Sequence, residues 1–234
     1  MRQNIVIFTG AGISAESGIS TFRDKDGLWT KYDAMKLASV EGFNEDPEAV
    51  LDFYNERRWQ LSRTEPNHAH YALAELQKEY DVSIITQNVD DLHERAGCTN
   101  VLHLHGELTK VTSSRAREDK MCIKEYPLTM SICIGDKADD GSQLRPYVVW
   151  FGEYLWYMEE AQKIVENADV FVVIGTSLVV YPAANLVRYA KNDIPKYLVD
   201  PSDMDRKLLE GFEHIKAKAT EGIDMLMEKL KKLL

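Results

Sequence analysis

The sequence predicts an α/β protein, a Rossmann-like doubly wound parallel sheet with a small inserted module. Short apolar runs recur as "NIVIF", "VSIIT", "VLHL", "VFVVIG" and "KYLVD", each continuous and rich in β-branched residues rather than alternating. Such strands are buried on both faces, as in a parallel sheet. Helical patterns lie between the runs, and strands alternating with helices build an open α/β layer. The rhythm breaks from Thr109 to about Arg145, where the charge clusters "RAREDK" and "GDKADDGS" surround a strand-like "MSICIG".

Taken in order, the first run leads into "FTGAGISAESGISTFR", where Gly10, Gly12 and Ala15 fit G-x-G-x-x-A ahead of a predicted helix. Glycines there let the backbone approach a pyrophosphate at a helix N-terminus. "DPEAVLDFYNERRWQLSR" opens with Asp46 as N-cap and Pro47 at the first helical position. "PNHAHYALAELQKEY", "YMEEAQKIVENA" and "YPAANLVRYAKN" follow at helical spacing. In "TEGIDMLMEKLKKLL", Ile223, Leu226, Met227, Leu230 and Leu234 form one apolar stripe. Packing on its own sheet is the commoner use of such a stripe than lying on a membrane. The expected organisation is one catalytic domain over 1–234. Its large nucleotide-binding part takes in 1–30, 80–108 and 146–234, and its small module takes in 31–79 and 109–145.

At 234 residues and 44% hydrophobic content the chain can bury a substantial core. Its 38 acidic against 28 basic side chains give a net charge of −10. That balance argues against a nucleic-acid surface and suits a lysine-bearing partner. No stretch approaches 18 uninterrupted apolar residues, and "MRQNIVIFTG" enters a strand at once, so the expectation is a cytoplasmic protein with no membrane span or signal peptide. Cys98, Cys122 and Cys133 are too few and too scattered for a disulfide framework.

The glycine pattern alone leaves its chemistry open. A hydride-transferring dehydrogenase should next show a second strand ending in a ribose-binding acid, but residues 18–38 contain no apolar strand. "TQNVDDLH" follows "VSII", "HLHGEL" follows "VL" and "GTSLVVYPAA" follows "VFVVI". All therefore sit at carboxyl ends of strands, where open α/β sheets bind ligands.

In their order and approximate spacing, "GAGISAESGISTFR", "TQNVD", "HLHGEL", "VVWFGE" and "GTSLVVYPA" resemble the motifs of the sirtuins, the NAD-dependent protein deacylases, over nearly the whole chain. The resemblance implies that NAD is consumed as co-substrate. The nicotinamide–ribose bond breaks, the acyl oxygen of the modified lysine attacks the ribose, and a ribose hydroxyl then attacks the adduct with help from a base. Imidazole suits that base near neutral pH. On composition alone His93 and His103 compete with His105, and the family motif selects His105. The resemblance carries nicotinamide and ribose contacts onto Asn88 and Asp90, and a further ribose contact onto Gln87. The other cofactor positions it implies are Gly10, Ala11, Gly12, Ser14 and Ala15, then Thr21, Phe22 and Arg23 in a flexible loop, then Gly175, Thr176 and Ser177, and finally Asp200 and Ala219. Val149, Phe151, Gly152 and Glu153 correspond to the segment that pairs with an acyl-lysine peptide as an added strand. A monomer is expected.

The chain departs from the family in two places. The module usually carries four cysteines for a structural zinc, whereas here it supplies only Cys122 and Cys133. The expectation is that zinc is absent and that apolar contacts from "MCIKEYPLTMSICI" hold the module. The adenosine-ribose segment reads Leu198-Val199-Asp200, without the usual leading asparagine. In "FYNERR", Tyr54 and Arg57 lie three apart on one helix face. A Tyr-x-x-Arg pair at this offset, with small residues such as Ala34 and Ala38, resembles the sirtuin class that removes succinyl and malonyl groups. The other readings are a plain deacetylase and a catalytically weak NAD- or ADP-ribose-binding module.

Overall fold

The computed structural model describes residues 2–20, 34–203 and 210–233. The chain starts with β1 (Asn4–Thr9), two 3₁₀ turns (Ala11–Ile13 and Ala15–Ser17), and helices α1 (Ala34–Leu37), α2 (Val40–Glu45), α3 (Pro47–Leu61) and α4 (His68–Glu79). It continues through β2 (Asp81–Thr86), α5 (Leu92–Arg95), β3 (Val101–His103), β4 (Gly106–Ser113), β5 (Lys124–Glu125) and β6 (Leu144–Val148). The last elements are α6 (Met158–Glu166), β7 (Val170–Ile174), a 3₁₀ stretch (Ala183–Arg188), β8 (Lys196–Val199), β9 (Glu213–Ile215) and α7 (Ala219–Leu233).

Among the described residues the main sheet has six parallel strands in the order β3-β2-β1-β7-β8-β9. This is the dinucleotide-binding order, reversing direction between β1 and β7, and that reversal opens a crevice above the carboxyl ends. Alternate residues of β1 feed separate cores. Ile5 and Ile7 pack with Leu73 of α4 and Ile223, Leu226 and Leu230 of α7. Val6 and Phe8 pack on the other face with Val165 of α6 and Leu186. Both faces are covered, which explains why the strands read as unbroken apolar runs.

Several expectations change. The segment after Gly10 forms two 3₁₀ turns within the described residues, and "YPAANLVRYAKN" yields only a 3₁₀ stretch. "MSICIG" is not a strand: Ile132 is buried, but Met130 and Ile134 are about half exposed. The module's sheet is instead antiparallel, in the order β5-β4-β6. β9 is not marked in the sequence because "EHI" buries only Ile215 and offers no apolar run, whereas the equally short edge strand β3 lies in the apolar "VLHL".

Contacts that hold the module also differ from an apolar grip by "MCIKEYPLTMSICI", since Met121, Met130 and Ile134 face solvent. Two apolar clusters contribute, one of Leu51, Val111 and Ile132 and one joining Val50 and Leu61 of α3 to Leu108 and Val148 with Leu128 packed against it, and polar contacts add to them. Asn55 of α3 pairs reciprocally with the Ile132 main chain at 2.9 and 2.8 Å. The fully buried guanidinium of Arg58 donates to the carbonyls of Leu108, Tyr126 (3.1 Å) and Pro127 (2.7 Å). Asp46 caps α3 by accepting from Ala49 N–H, so the helix that carries Tyr54 and Arg57 also fastens the insert.

No helix among the described residues is long and apolar enough to cross a membrane.

Candidate active site

Four loops meet over the β1/β7 crevice. Gly10 N–H donates to Ile174 O at 3.0 Å and Gly12 N–H to Gly175 O at 2.8 Å. A Cβ on Gly10 would lie 2.6 Å from the Thr176 Cβ, and one on Gly12 would lie 2.6 Å from the Gly175 Cα. These glycines thus let two strand-end loops touch, and Gly175 itself needs its left-handed φ of +63°. Thr176 Oγ1 then donates to Gln87 Oε1 at 2.8 Å, joining the loop after β7 to the loop after β2. The Gln87 Nε2 donor is buried with no protein partner among the described residues, as a group awaiting a ligand oxygen would be.

Ser14 is the hub behind this loop. It donates to Asp90 Oδ2 at 3.0 Å and receives Asn88 Nδ2–H at 3.1 Å. His70 Nε2 approaches it at 3.4 Å, while Nδ1 of that ring accepts from Asn67 N–H. A ring used as acceptor on one nitrogen is neutral, and burial pushes the His70 pKa down to about 4. Asp90 also accepts from Leu92 N–H at 3.2 Å. Its burial, opposed by those hydrogen bonds, raises the pKa to about 6.

Three histidines flank the loop, and their surroundings separate them. His93 is fully buried, hydrogen-bonded through Nε2 to Thr9 Oγ1 at 3.1 Å, and stacked edge-on to His70. His103 spends both nitrogens, one on Asn88 O and one on Glu94. His105 is half-buried and spends only Nδ1, 2.8 Å from Gln87 O. Its Nε2 makes no hydrogen bond among the described residues. Burial lowers its pKa below the usual histidine value, the Gln87 carbonyl opposing and the Arg117 charge assisting.

Of the remaining expected residues, Ala11 and Ala15 head the two 3₁₀ turns, and Ser177 follows Thr176 half-buried. Asp200 is buried at the end of β8, its carboxylate accepting from Ser202 N–H at 2.8 Å. Ala219 starts α7 and is packed in the core. Thr21, Phe22 and Arg23 lie outside the described residues, as does the Ala34 side chain. Tyr54 is buried in a cluster with Val50, Leu108 and Trp150. Arg57 pairs with Glu56 at 2.9 Å and lies over the Phe53 ring.

The "VVWFGE" segment leaves β6 after Val148. Val149 N–H donates to His105 O, and Phe151 exchanges main-chain hydrogen bonds with Ala38 and Val40. Gly152 is exposed with φ +92°. Glu153 is engaged internally: its carboxylate takes Arg145 at 2.7 Å and Trp150 N–H at 2.8 Å, with Arg117 at 3.7 Å. This arrangement braces the segment, leaving any substrate contact at Glu153 to the main chain. Sequence reasoning missed the Arg145–Glu153 pair, eight residues apart across the bend that follows β6, and the Ser14–His70 link, 56 residues apart, because neither spacing is that of a helix face or a strand pair and both form only when the chain folds back.

Among the described residues no group of three or more His, Cys, Asp or Glu side chains is arranged to hold a metal. Cys122 is buried and Cys133 is exposed.

A reversed-order parallel sheet whose glycine loops touch at the crevice defines an α/β protein of the dinucleotide-binding class. The Sir2 family pattern matches residues 10–182. The chain is 52% identical over 233 residues to an NAD-dependent protein deacylase of Bacteroides thetaiotaomicron, covering 99% of this chain and 98% of that one. It is 50% identical over 228 residues to one of Helicobacter pylori, covering 97% of each. A solved Sir2 homologue–NAD complex superposes with a TM-score of 0.85 at 41% identity, covering 99% of this chain and 91% of that one. A Sir2–p53 peptide–NAD+ complex does so with 0.76 at 29% identity, covering 98% and 94%. The chain belongs to the Sir2 family.

Proposed function

We infer that this Sir2-family enzyme is an NAD-dependent protein-lysine deacylase, with His105 as general base and an acyl site that favours succinyl and malonyl groups over acetyl. The observation that carries the enzyme reading is the arrangement of His105, Gln87, Asn88 and Asp90 at one crevice, in a chain about half identical to proteins named NAD-dependent protein deacylases. NAD as co-substrate fits the residues present, because the buried Gln87 Nε2 has no protein partner among the described residues and Gly10 and Gly12 let the loops after β1 and β7 close on one another at the crevice.

When bound, NAD would supply the electrophilic ribose carbon and the nicotinamide leaving group. Ser14 holds the Asn88 amide and the Asp90 carboxyl in one orientation, so their ligand-facing atoms need no reorganisation. The Gln87 carbonyl fixes the proton on His105 Nδ1, which leaves Nε2 as the lone-pair nitrogen able to take a hydroxyl proton. A peptide strand would run beside Val149–Gly152, and its acyl-lysine would enter between the Phe151 segment and α3.

Support for acidic acyl groups comes from α3. Burial raises the Tyr54 phenol's pKa, so it remains a neutral donor. The Arg57 guanidinium is largely sheltered and rests on Glu56, whose place a substrate carboxylate could take in a two-pronged contact. The deciding experiment incubates the protein with NAD and acetyl-, malonyl- and succinyl-lysine peptides, and follows nicotinamide release and peptide mass. Faster turnover of the acidic peptides is expected. Equal or better acetyl turnover would leave a plain deacetylase.

A further inference from the structure

His103 has an acceptor at each ring nitrogen. Nδ1 lies 3.1 Å from the Asn88 carbonyl oxygen and Nε2 lies 2.9 Å from Glu94 Oε1. A neutral imidazole carries one N–H and would turn a lone pair on one of these oxygens, so the doubly protonated ring alone satisfies both. The Asn88 contact is one of three that string the loop onto the neighbouring segment. His105 holds Gln87 O, His103 holds Asn88 O, and Leu108 N–H donates to Val89 O at 2.8 Å.

We infer that His103 is a positioning residue: as an imidazolium anchored by Glu94, it fixes the Asn88 peptide and thereby the Asn88 side chain at the cofactor site. The inference rests on the assignment of Asn88 to that site. Charged groups around the ring are mostly acidic. Glu94 comes from α5, Asp91 and Asp90 from the turn before it, and Glu107 from β4, where it is paired with Lys110 at 2.6 Å. His93, on α5, is kept neutral by burial. Burial works against the His103 cation, but the hydrogen bond and charge of Glu94, helped by Glu107 and the Asn88 carbonyl, raise its pKa above the usual value. Burial likewise works against the Glu94 carboxylate, and the His103 hydrogen bond and charge outweigh it, lowering that pKa.

A raised histidine pKa means the contact is complete at low pH and is lost as pH rises through that value. The deprotonated ring would turn a lone pair on Glu94 or on the Asn88 carbonyl, and the Asn88 peptide would loosen. NAD should therefore bind less well on the alkaline side, through KM more than through kcat.

The test pairs histidine Cε1–H NMR titration with KM for NAD across pH 6 to 9.5, in wild type, Glu94→Gln and His103→Gln. The wild-type His103 signal, assigned by its loss in His103→Gln, should titrate above the usual histidine value. The Glu94 side chain is 40% exposed, so Glu94→Gln should fold, and it supports the test if His103→Gln does not. Glu94→Gln should lower the His103 midpoint by about one pH unit or more and move the alkaline rise in KM down by the same interval. A His103 midpoint and KM profile unchanged by Glu94→Gln, in a protein that binds NAD and deacylates, overturns the role of His103 alone. A wild type that neither binds NAD nor deacylates removes the functional reading and the positioning role together.

Discussion

His105 Nδ1 lies 2.8 Å from the main-chain oxygen of Gln87, so the loop after β2 sets the tautomer of the proposed base. One nitrogen is committed to a carbonyl that can only accept, and the other is left with its lone pair. His105→Ala should reduce deacylation by roughly 10² to 10⁴, the usual worth of a positioned base, while NAD affinity measured by calorimetry is largely kept. Near-normal turnover would remove His105 from the mechanism. The base acts when neutral and its pKa is lowered by burial. The acid limb of kcat/KM should therefore fall below 6.5, the ordinary histidine value, with activity lost as pH drops through it.

Asp90 holds a charge that the fold disfavours. Its pKa is pushed up to about 6 in the folded protein, from an ordinary aspartate value of 3.8. A raised acid pKa makes the folded state best stabilised below about 4, with stability lost as pH climbs through 6. Asp90→Asn should stabilise the NAD-free protein at pH 7.5 by on the order of 2 to 3 kcal/mol, with the gain shrinking towards pH 4.5. Urea denaturation at both pH values measures this. A variant less stable than wild type at pH 7.5 would contradict it.

Tyr54 and Arg57 divide the work of the proposed acyl site. Arg57→Met keeps a long apolar stem and removes the fork, so succinyl- and malonyl-lysine should lose about 2 to 5 kcal/mol in kcat/KM while acetyl-lysine is unchanged or improved. Tyr54→Phe should cost the acidic substrates about 1.5 to 3 kcal/mol, one hydrogen bond to a charged group. If Arg57→Met slows every acyl group alike, Arg57 is a structural helix residue.

Arg58 fastens the insert to α3. Burial lowers its pKa to about 10, which still leaves it cationic at neutral pH. Arg58→Met would strand the Leu108, Tyr126 and Pro127 carbonyls. The expected loss is about 3 kcal/mol of stability or more, with new protease cleavage between 115 and 145. Unchanged proteolysis would show that the apolar clusters alone suffice.

Purified protein should contain no stoichiometric zinc and keep its melting temperature in chelator, because two cysteines cannot close a tetrahedral site. Elemental analysis giving about one zinc per chain would reverse this.

The parallel sheet was legible in the sequence because both of its faces are covered, which makes each strand a short unbroken apolar run. Asp46 and Pro47 marked the start of α3 for a local reason: capping is satisfied within one turn. The candidate site was legible as motifs, since each lies in one short stretch after one strand. Local pattern could not choose among three histidines. That distinction comes from burial around His93, from Glu94 and the Asn88 carbonyl around His103, and from the single carbonyl facing His105. Nor could it find Arg58, which reads as one more helix charge beside Arg57 until the carbonyls of Leu108, Tyr126 and Pro127 close around it from residues 50 to 69 positions away. Strand periodicity and capping are set by neighbours along the chain. Protonation states and buried charge networks are set by groups that only the folded packing brings within hydrogen-bond reach, and these the tertiary structure alone decided.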